Sequence, residues 1–111
     1  MSESTPPNIL VLLADELRAD ALGCTGNPDV KSPHIDGLAE DSVVFSNAYC
    51  TQPVCTPARA SLLTGLYPHT HGCYANNAPL SKQKATIAEM LGDAYHSAWH
   101  GKWHLGDEIT A

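Results

Sequence analysis

Aromatic residues are scarce in this chain: one Phe, two Trp and four Tyr make up 6% of its 111 residues. Positive charge is also sparse, with six Lys and Arg against twelve Asp and Glu and a net charge of −6. No Lys/Arg cluster occurs, which argues against a nucleic-acid binding surface and leaves room for a local cationic pocket holding a small anion. Long apolar runs are missing as well. The run Ile9 to Ala14 is far too short to span a membrane, and it lacks a basic leader and a cleavage site. Neither a membrane anchor nor a signal peptide is therefore expected, and cytoplasmic residence is the default. The four cysteines, Cys24, Cys50, Cys55 and Cys73, form no Cys-x-x-C pair and no zinc-like spacing. A disulfide framework is not expected in a cytoplasmic chain, so Cys24, Cys50 and Cys73 read as small packing residues. Internal repeats and low-complexity tracts are absent too. What remains is a chain with 43% hydrophobic residues, enough for one small domain with a modest core.

Met1 to Pro7 is polar, contains proline, and is expected to fray as a flexible terminus. Asn8 to Ala14 is apolar without alternation, as in a strand buried on both faces of a parallel sheet. Asp15 and Glu16 then fall at the strand's carboxyl end, where open α/β sheets place their ligand sites. Two adjacent acids there either hold a hard cation through oxygen or form an acidic turn or helix cap. Leu17 to Lys31 reads as a loop, and Ser32 to Ala39 as a short helix with Ser32 as cap and Pro33 in its first position. Val43 to Tyr49 reads as a second strand, and Tyr95 to Trp99 as a short third one. Leu66 to Gly72 is a turn-rich loop whose His69 and His71 either line a site or face solvent. Ala85 to Ala94 spaces Ile87, Met90 and Leu91 along one helical face. The pattern is βαβ-like, an α/β fold.

The centre of the chain is Pro53 to Gly65, and its heart is Cys55-Thr56-Pro57-Ala58-Arg59. Pro57 suits a first helical turn, Thr56 is a good N-cap, and Ala58 to Leu63 forms a helical run closed by Gly65. Cys55 would then sit at a helix N-terminus, where free amides and the macrodipole favour an anion. Arg59, one turn further in, could reach back over the same spot with a bidentate fork. The physical reading is an oxyanion site centred on a cysteine-derived group, against a plain structural cysteine beside an ordinary helix start.

Three stretches, in order along the chain, resemble the sulfatase family. Asn8 to Asp15 is similar to that family's first strand and metal-binding acid. Cys55-Thr-Pro-Ala-Arg59, extended through Leu63-Thr64-Gly65, resembles its Cys-x-Pro-x-Arg signature. Gly101-Lys102-Trp103-His104-Leu105-Gly106 is similar to its second signature. Shorter matches lie at Ser32 to Asp36 with Leu38 and Ala39, at Phe45 to Tyr49, and at Tyr67 to His69, so that the resemblance runs from Asn8 to Asp107.

The resemblance implies the amino-terminal part of an alkaline-phosphatase-like, mainly parallel sheet with helices on both faces. It implies a sulfuric ester hydrolase acting on a small-molecule sulfate ester, with Cys55 oxidised to formylglycine by a maturation enzyme. Asp15 would be a calcium ligand, joined by the group derived from Cys55, and Glu16 a further candidate ligand. Arg59 would hold the formylglycine, while Lys102 and His104 would contact the sulfate, the His also as a proton donor to the leaving alcohol. One hydroxyl of the aldehyde hydrate would attack sulfur, and the second would expel sulfate by collapse to the aldehyde, an exit that a plain thiol lacks.

Two departures qualify these expectations. Many sulfatases carry Asp where this chain has Glu16, and Asp15-Glu-Leu-Arg-Ala-Asp20 resembles the Asp-Gln-x-Arg-x-Asp form of choline-sulfatase-like and phosphonate-monoesterase-like members. In those, the residue after Asp need not bind metal. Length is the second departure, because such enzymes have several hundred residues and complete the calcium site further on; residues 8–111 therefore read as the amino-terminal portion of a catalytic domain. A phosphonate or phosphate monoester hydrolase and a non-catalytic anion-binding piece are the competing readings. A tyrosine-phosphatase-like thiol is disfavoured, because its Arg follows the Cys at a longer spacing than Cys55 to Arg59.

Overall fold

The computed structural model describes residues 6–106. Most of the expected flexible segment (residues 1–5) and the end of the resemblance at Asp107, with the residues after it, lie outside the described residues. The chain divides into two compact units: residues 12–49 form one, and the flanking segments up to residue 11 and from residue 50 form the other.

The unit of residues 12–49 is built on helix α1, Pro33–Glu40, which begins where Ser32 and Pro33 predict. Ser32 Oγ donates to Asp36 Oδ1 at 2.8 Å, and the same carboxylate oxygen accepts from the Cys24 amide at 2.7 Å. The Gly23 amide in turn donates to Ser32 Oγ at 2.9 Å, so a 3₁₀ turn at Gly23–Thr25 is tied to the start of α1. These donors hold the Asp36 carboxyl below its ordinary value of 3.8, with the Ser32 hydroxyl as the largest cause. Gly23 is required here, since a Cβ would sit 2.5 Å from Asp36 Oδ2. Cys24 is exposed and does not pack, contrary to the sequence reading, because its part in this knot is made by its backbone.

The other unit is organised around α2, Cys55–Thr64, followed by α3, Pro68–His71, and α4, Ile87–Leu91. Gly65 closes α2 in the left-handed region at φ 69, as predicted. The α2 start differs from expectation: Val54 is the N-cap, and its carbonyl accepts the Ala58 amide at 3.0 Å. Pro57 lacks an amide that goes unused anywhere in a first turn, so the helix can begin two residues earlier than a Thr56 cap requires. Helix α4 is shorter than the periodicity of residues 85–94 suggests. It starts at a Thr86–Glu89 capping box and gives way at Gly92 to a 3₁₀ turn over Gly92–Ala94.

The core of this unit is small: Ala60 of α2, Cys73 and Leu105 are buried, with Leu63, Leu80 and Trp103 packed against them. Beside it lies a buried polar chain. His71 is only 2% exposed, so it faces neither solvent nor an open site. Its Nδ1 accepts the Cys73 amide at 3.0 Å, which leaves the ring proton on Nε2, 3.0 Å from Ser61 Oγ on α2. Ser61 Oγ accepts a further hydrogen bond from Thr51 at 2.7 Å. Every polar atom of the His71 ring thus has a partner, and α2 and α3 are held together. His69 remains exposed and stacks on Tyr67 with ring centroids 5.8 Å apart. Of the three cysteines read as packing residues, Cys73 alone is buried, and burial pushes its thiol up; Cys50 is exposed and donates to Gln52 O at 2.9 Å.

No strand is formed among the described residues. Residues 8–14, 43–49 and 95–99, read as strands, lie outside regular structure, and Leu10, Leu12, Phe45 and Tyr49 are each more than three-quarters exposed. A strand exists only through the ladder its neighbour supplies, and these segments have none here. No helix among the described residues is long and apolar enough to cross a membrane.

Candidate active site

Three of the predicted residues converge on the first two turns of α2. Cys55 occupies the first helical position and is half-buried. Lys102 reaches it from the turn at residues 101–106, with Nζ 3.5 Å from Sγ. Arg59, one turn into α2 and 6% exposed, donates from Nη1 to the Lys102 carbonyl at 2.7 Å. The bidentate fork over Cys55 expected from the sequence is thus directed, through this nitrogen, at the backbone that carries Lys102. Two cationic side chains, the Lys102 ammonium and the Arg59 guanidinium, thus serve the start of α2 and the turn beside it.

The turn bearing Lys102 and His104 is tightly specified. Gly101 has φ 88, Trp99 Nε1 donates to Gly101 O at 3.3 Å, and the rings of Trp99 and Trp103 pack edge to face with centroids 5.3 Å apart. Gly106 follows at φ 126, where a Cβ would come within 3.0 Å of Pro79 Cβ. His104 is held at φ 57, and its Nδ1 is buried with no hydrogen-bond partner among the described residues.

The second pair of predicted residues, Asp15 and Glu16, belongs to the unit of residues 12–49. Both are exposed in a turn, and Glu16 has φ 56. Glu16 and His104 are the two non-glycine residues with positive φ among the described residues, and sequence had marked both as site candidates. Strained backbone of this kind, costing on the order of 1–3 kcal/mol, gathers at functional sites. In the same unit, an open groove of about 700 Å³ is lined by Gly23, Cys24, Lys31, Asp36 and Val44, none of them a predicted site residue.

Two residues outside the predicted site set support the Cys55 end of α2. Asn76 Oδ1 accepts the Thr56 amide at 3.1 Å, capping the helix from twenty residues away. Thr56 is 1% exposed and donates its hydroxyl to His104 O at 2.7 Å. Thr56 stood in the sequence as a helix cap, whereas its hydroxyl serves the other signature. Neither partnership has a local signal, because each joins segments twenty or more residues apart.

Known proteins share much of this sequence. The family model described as Sulfatase matches residues 7–107. An ulvan-active sulfatase of Formosa agariphila is 49% identical over 104 residues, covering 93% of this chain and 20% of that protein. Arylsulfatase A of Homo sapiens is 37% identical over 113 residues, covering 96% of this chain and 22% of that protein. Among solved structures, the phosphonate monoester hydrolase of Agrobacterium radiobacter matches with a TM-score of 0.63 and 39% identity, over 68% of this chain and 15% of that one. The chain thus spans about a fifth of the length of the curated relatives it matches. With the family model covering nearly all of it, and both signatures meeting at the head of one helix, the chain belongs to the sulfatase family.

Proposed function

We infer that this chain supplies the nucleophile and half of the sulfate pocket of a sulfuric ester hydrolase. The observation that carries the reading is the Lys102 ammonium 3.5 Å from Cys55 Sγ, at the mouth of α2. As the S–O bond of a sulfate ester breaks, negative charge builds on its oxygens, and a cation already in place lowers that barrier. Lys102 sits where it can meet those oxygens. Arg59 fixes the Lys102 backbone, and the helix end adds its positive pole. His104 lies two residues beyond Lys102 on the same turn, and its ring is the group this reading assigns as proton donor to the leaving alcohol.

The nucleophile of this reading is a formylglycine made from Cys55 by a maturation enzyme, and sulfur at that position stands in for the hydrated aldehyde's oxygen. Asp15 and Glu16, consecutive exposed carboxylates in a turn, are an oxygen donor pair suited to calcium and would be its ligands in this reading. The ion's contribution when bound is to balance charge on the sulfate oxygens.

A second reading, a phosphonate or phosphate monoester hydrolase, is favoured by the likeness to the Agrobacterium radiobacter phosphonate monoester hydrolase. Peptide mass spectrometry of Cys55 and a substrate panel decide between them. Cys55 in its lighter, aldehyde form with aryl sulfate turned over ahead of aryl phosphonate is the expected result. Preference for the phosphonate selects the second reading. A plain thiol with no turnover of either ester refutes both and leaves a non-catalytic anion-binding chain.

A further inference from the structure

We propose that Thr56 is a positioning residue that sets the Lys102–His104 turn through the backbone carbonyl of His104. Its activity arm rests on the sulfuric ester reading above. The Thr56 side chain is buried, next to Cys55, and its hydroxyl has one proton to give. His104 O takes that proton at 2.7 Å, and Asn76 O is a more distant neighbour at 3.4 Å. The turn is otherwise gripped at its carbonyls too: Lys102 O accepts from Arg59 at 2.7 Å, and Leu105 O from the Leu80 amide at 2.9 Å.

Of these bonds, the one from Thr56 falls on the strained residue itself. His104 at φ 57 is in a conformation that a residue with a Cβ leaves unless its surroundings hold it there. Relaxing that residue would swing its carbonyl off Thr56 and leave a buried hydroxyl unpaired. It would also turn the His104 ring and shift Lys102 away from Cys55. Threonine suits the task better than a freely rotating hydroxyl, because its branched Cβ restricts χ1.

Thr56→Val keeps the branched shape without the donor, and Thr56→Ser keeps the donor. In the matured protein, Thr56→Val is expected to lower kcat for an aryl sulfate roughly 10- to 100-fold with little change in KM. Thr56→Ser should recover to within about threefold of the parent, and on a His104→Ala background Thr56→Val should cost almost nothing more, since residues acting as one unit are not additive. A full further loss on that background, or parental kcat in Thr56→Val, overturns the proposal.

If the parent protein turns over no aryl sulfate, the functional reading fails and hydrogen exchange judges the positioning role alone. The Leu80 amide, bonded to the same turn, is then expected to exchange at least about tenfold faster in Thr56→Val than in Thr56→Ser. Equal rates overturn the proposal. Thr56→Ala replaces Thr56→Val in each comparison should the valine variant not fold.

Discussion

Acidification is expected to weaken this protein through His71. The ring is 2% exposed, and its Nδ1 accepts the Cys73 amide at 3.0 Å, so a proton added there would face another donor. Burial, with smaller contributions from Lys84 and His69, holds its pKa below the ordinary 6.5. The unfolded chain therefore takes up a proton as pH falls through 6.5, while the folded chain does so only at lower pH. Because the unfolded state binds more protons in that window, stability is complete above 6.5, falls below it, and levels off once the folded ring is also protonated. The slope for one proton is at most about 1.4 kcal/mol per pH unit, or about 5 °C in Tm for a chain of this size. Asp20, Asp36 and Glu89, whose carboxyls lie below their ordinary 3.8, 3.8 and 4.5, lose their contributions in a separate, more acidic range. Urea unfolding between about pH 5.5 and 7.5 reads the effect, with His71→Asn as the comparison. The amide oxygen of Asn can still accept from Cys73 but does not titrate, so the parent should show a steeper fall by up to one proton. Equal slopes in parent and variant would refute the assignment of His71 as a buried neutral ring.

Two further perturbations probe other parts of the molecule. Lys102→Met removes the ammonium 3.5 Å from Cys55 Sγ at an exposed position, so turnover of an aryl sulfate should fall roughly 10²- to 10³-fold while Tm stays within about 2 °C; unchanged kcat would remove Lys102 from the site. Gly23→Ala places a Cβ 2.5 Å from Asp36 Oδ2, whose carboxylate is fixed by Ser32 and Cys24, and should destabilise by about 1–3 kcal/mol in urea unfolding; a neutral result would mean that this knot opens freely.

Local chemistry made part of this structure legible in the sequence. Ser32-Pro33 announces α1, Gly65 ends α2, and the run from Ala58 to Leu63 is helical as its composition suggests. The sites that sequence marked as reactive include both non-glycine residues with positive φ among the described residues, Glu16 and His104, although nothing in the sequence gives their φ. What escaped reading is non-local. His71 sits among turn-forming residues yet is buried, because α2 packs over it and brings Ser61 to its Nε2. Asn76 caps α2 across twenty residues, and Thr56 serves a carbonyl forty-eight residues on. The expected strands fail for the same reason in reverse: residues 8–14 carry the right composition, but the ladder that would make them a strand lies outside anything composition encodes.

The spacing within Cys55-Thr56-Pro57-Ala58-Arg59 follows from what the helix must hold. Thr56 and Arg59 are three apart and so share a face of α2, from which both donate to carbonyls of the second signature. That signature returns the Lys102 ammonium to Cys55, the neighbour of Thr56. Grip and reagent thus depend on one helical register. Inserting an alanine between Ala58 and Arg59 would rotate Arg59 by about 100° around α2 and remove its hydrogen bond to Lys102 O, while leaving Cys55, Thr56 and Pro57 in sequence. The Leu80 amide, which reports on the turn through Leu105 O, should then exchange faster by about tenfold or more, and under the proposed function aryl sulfate turnover should collapse although α2 remains helical. Retained Leu80 protection in the insertion variant would show that the turn stands without the Arg59 grip, and the spacing of the motif would then need a cause outside these two segments.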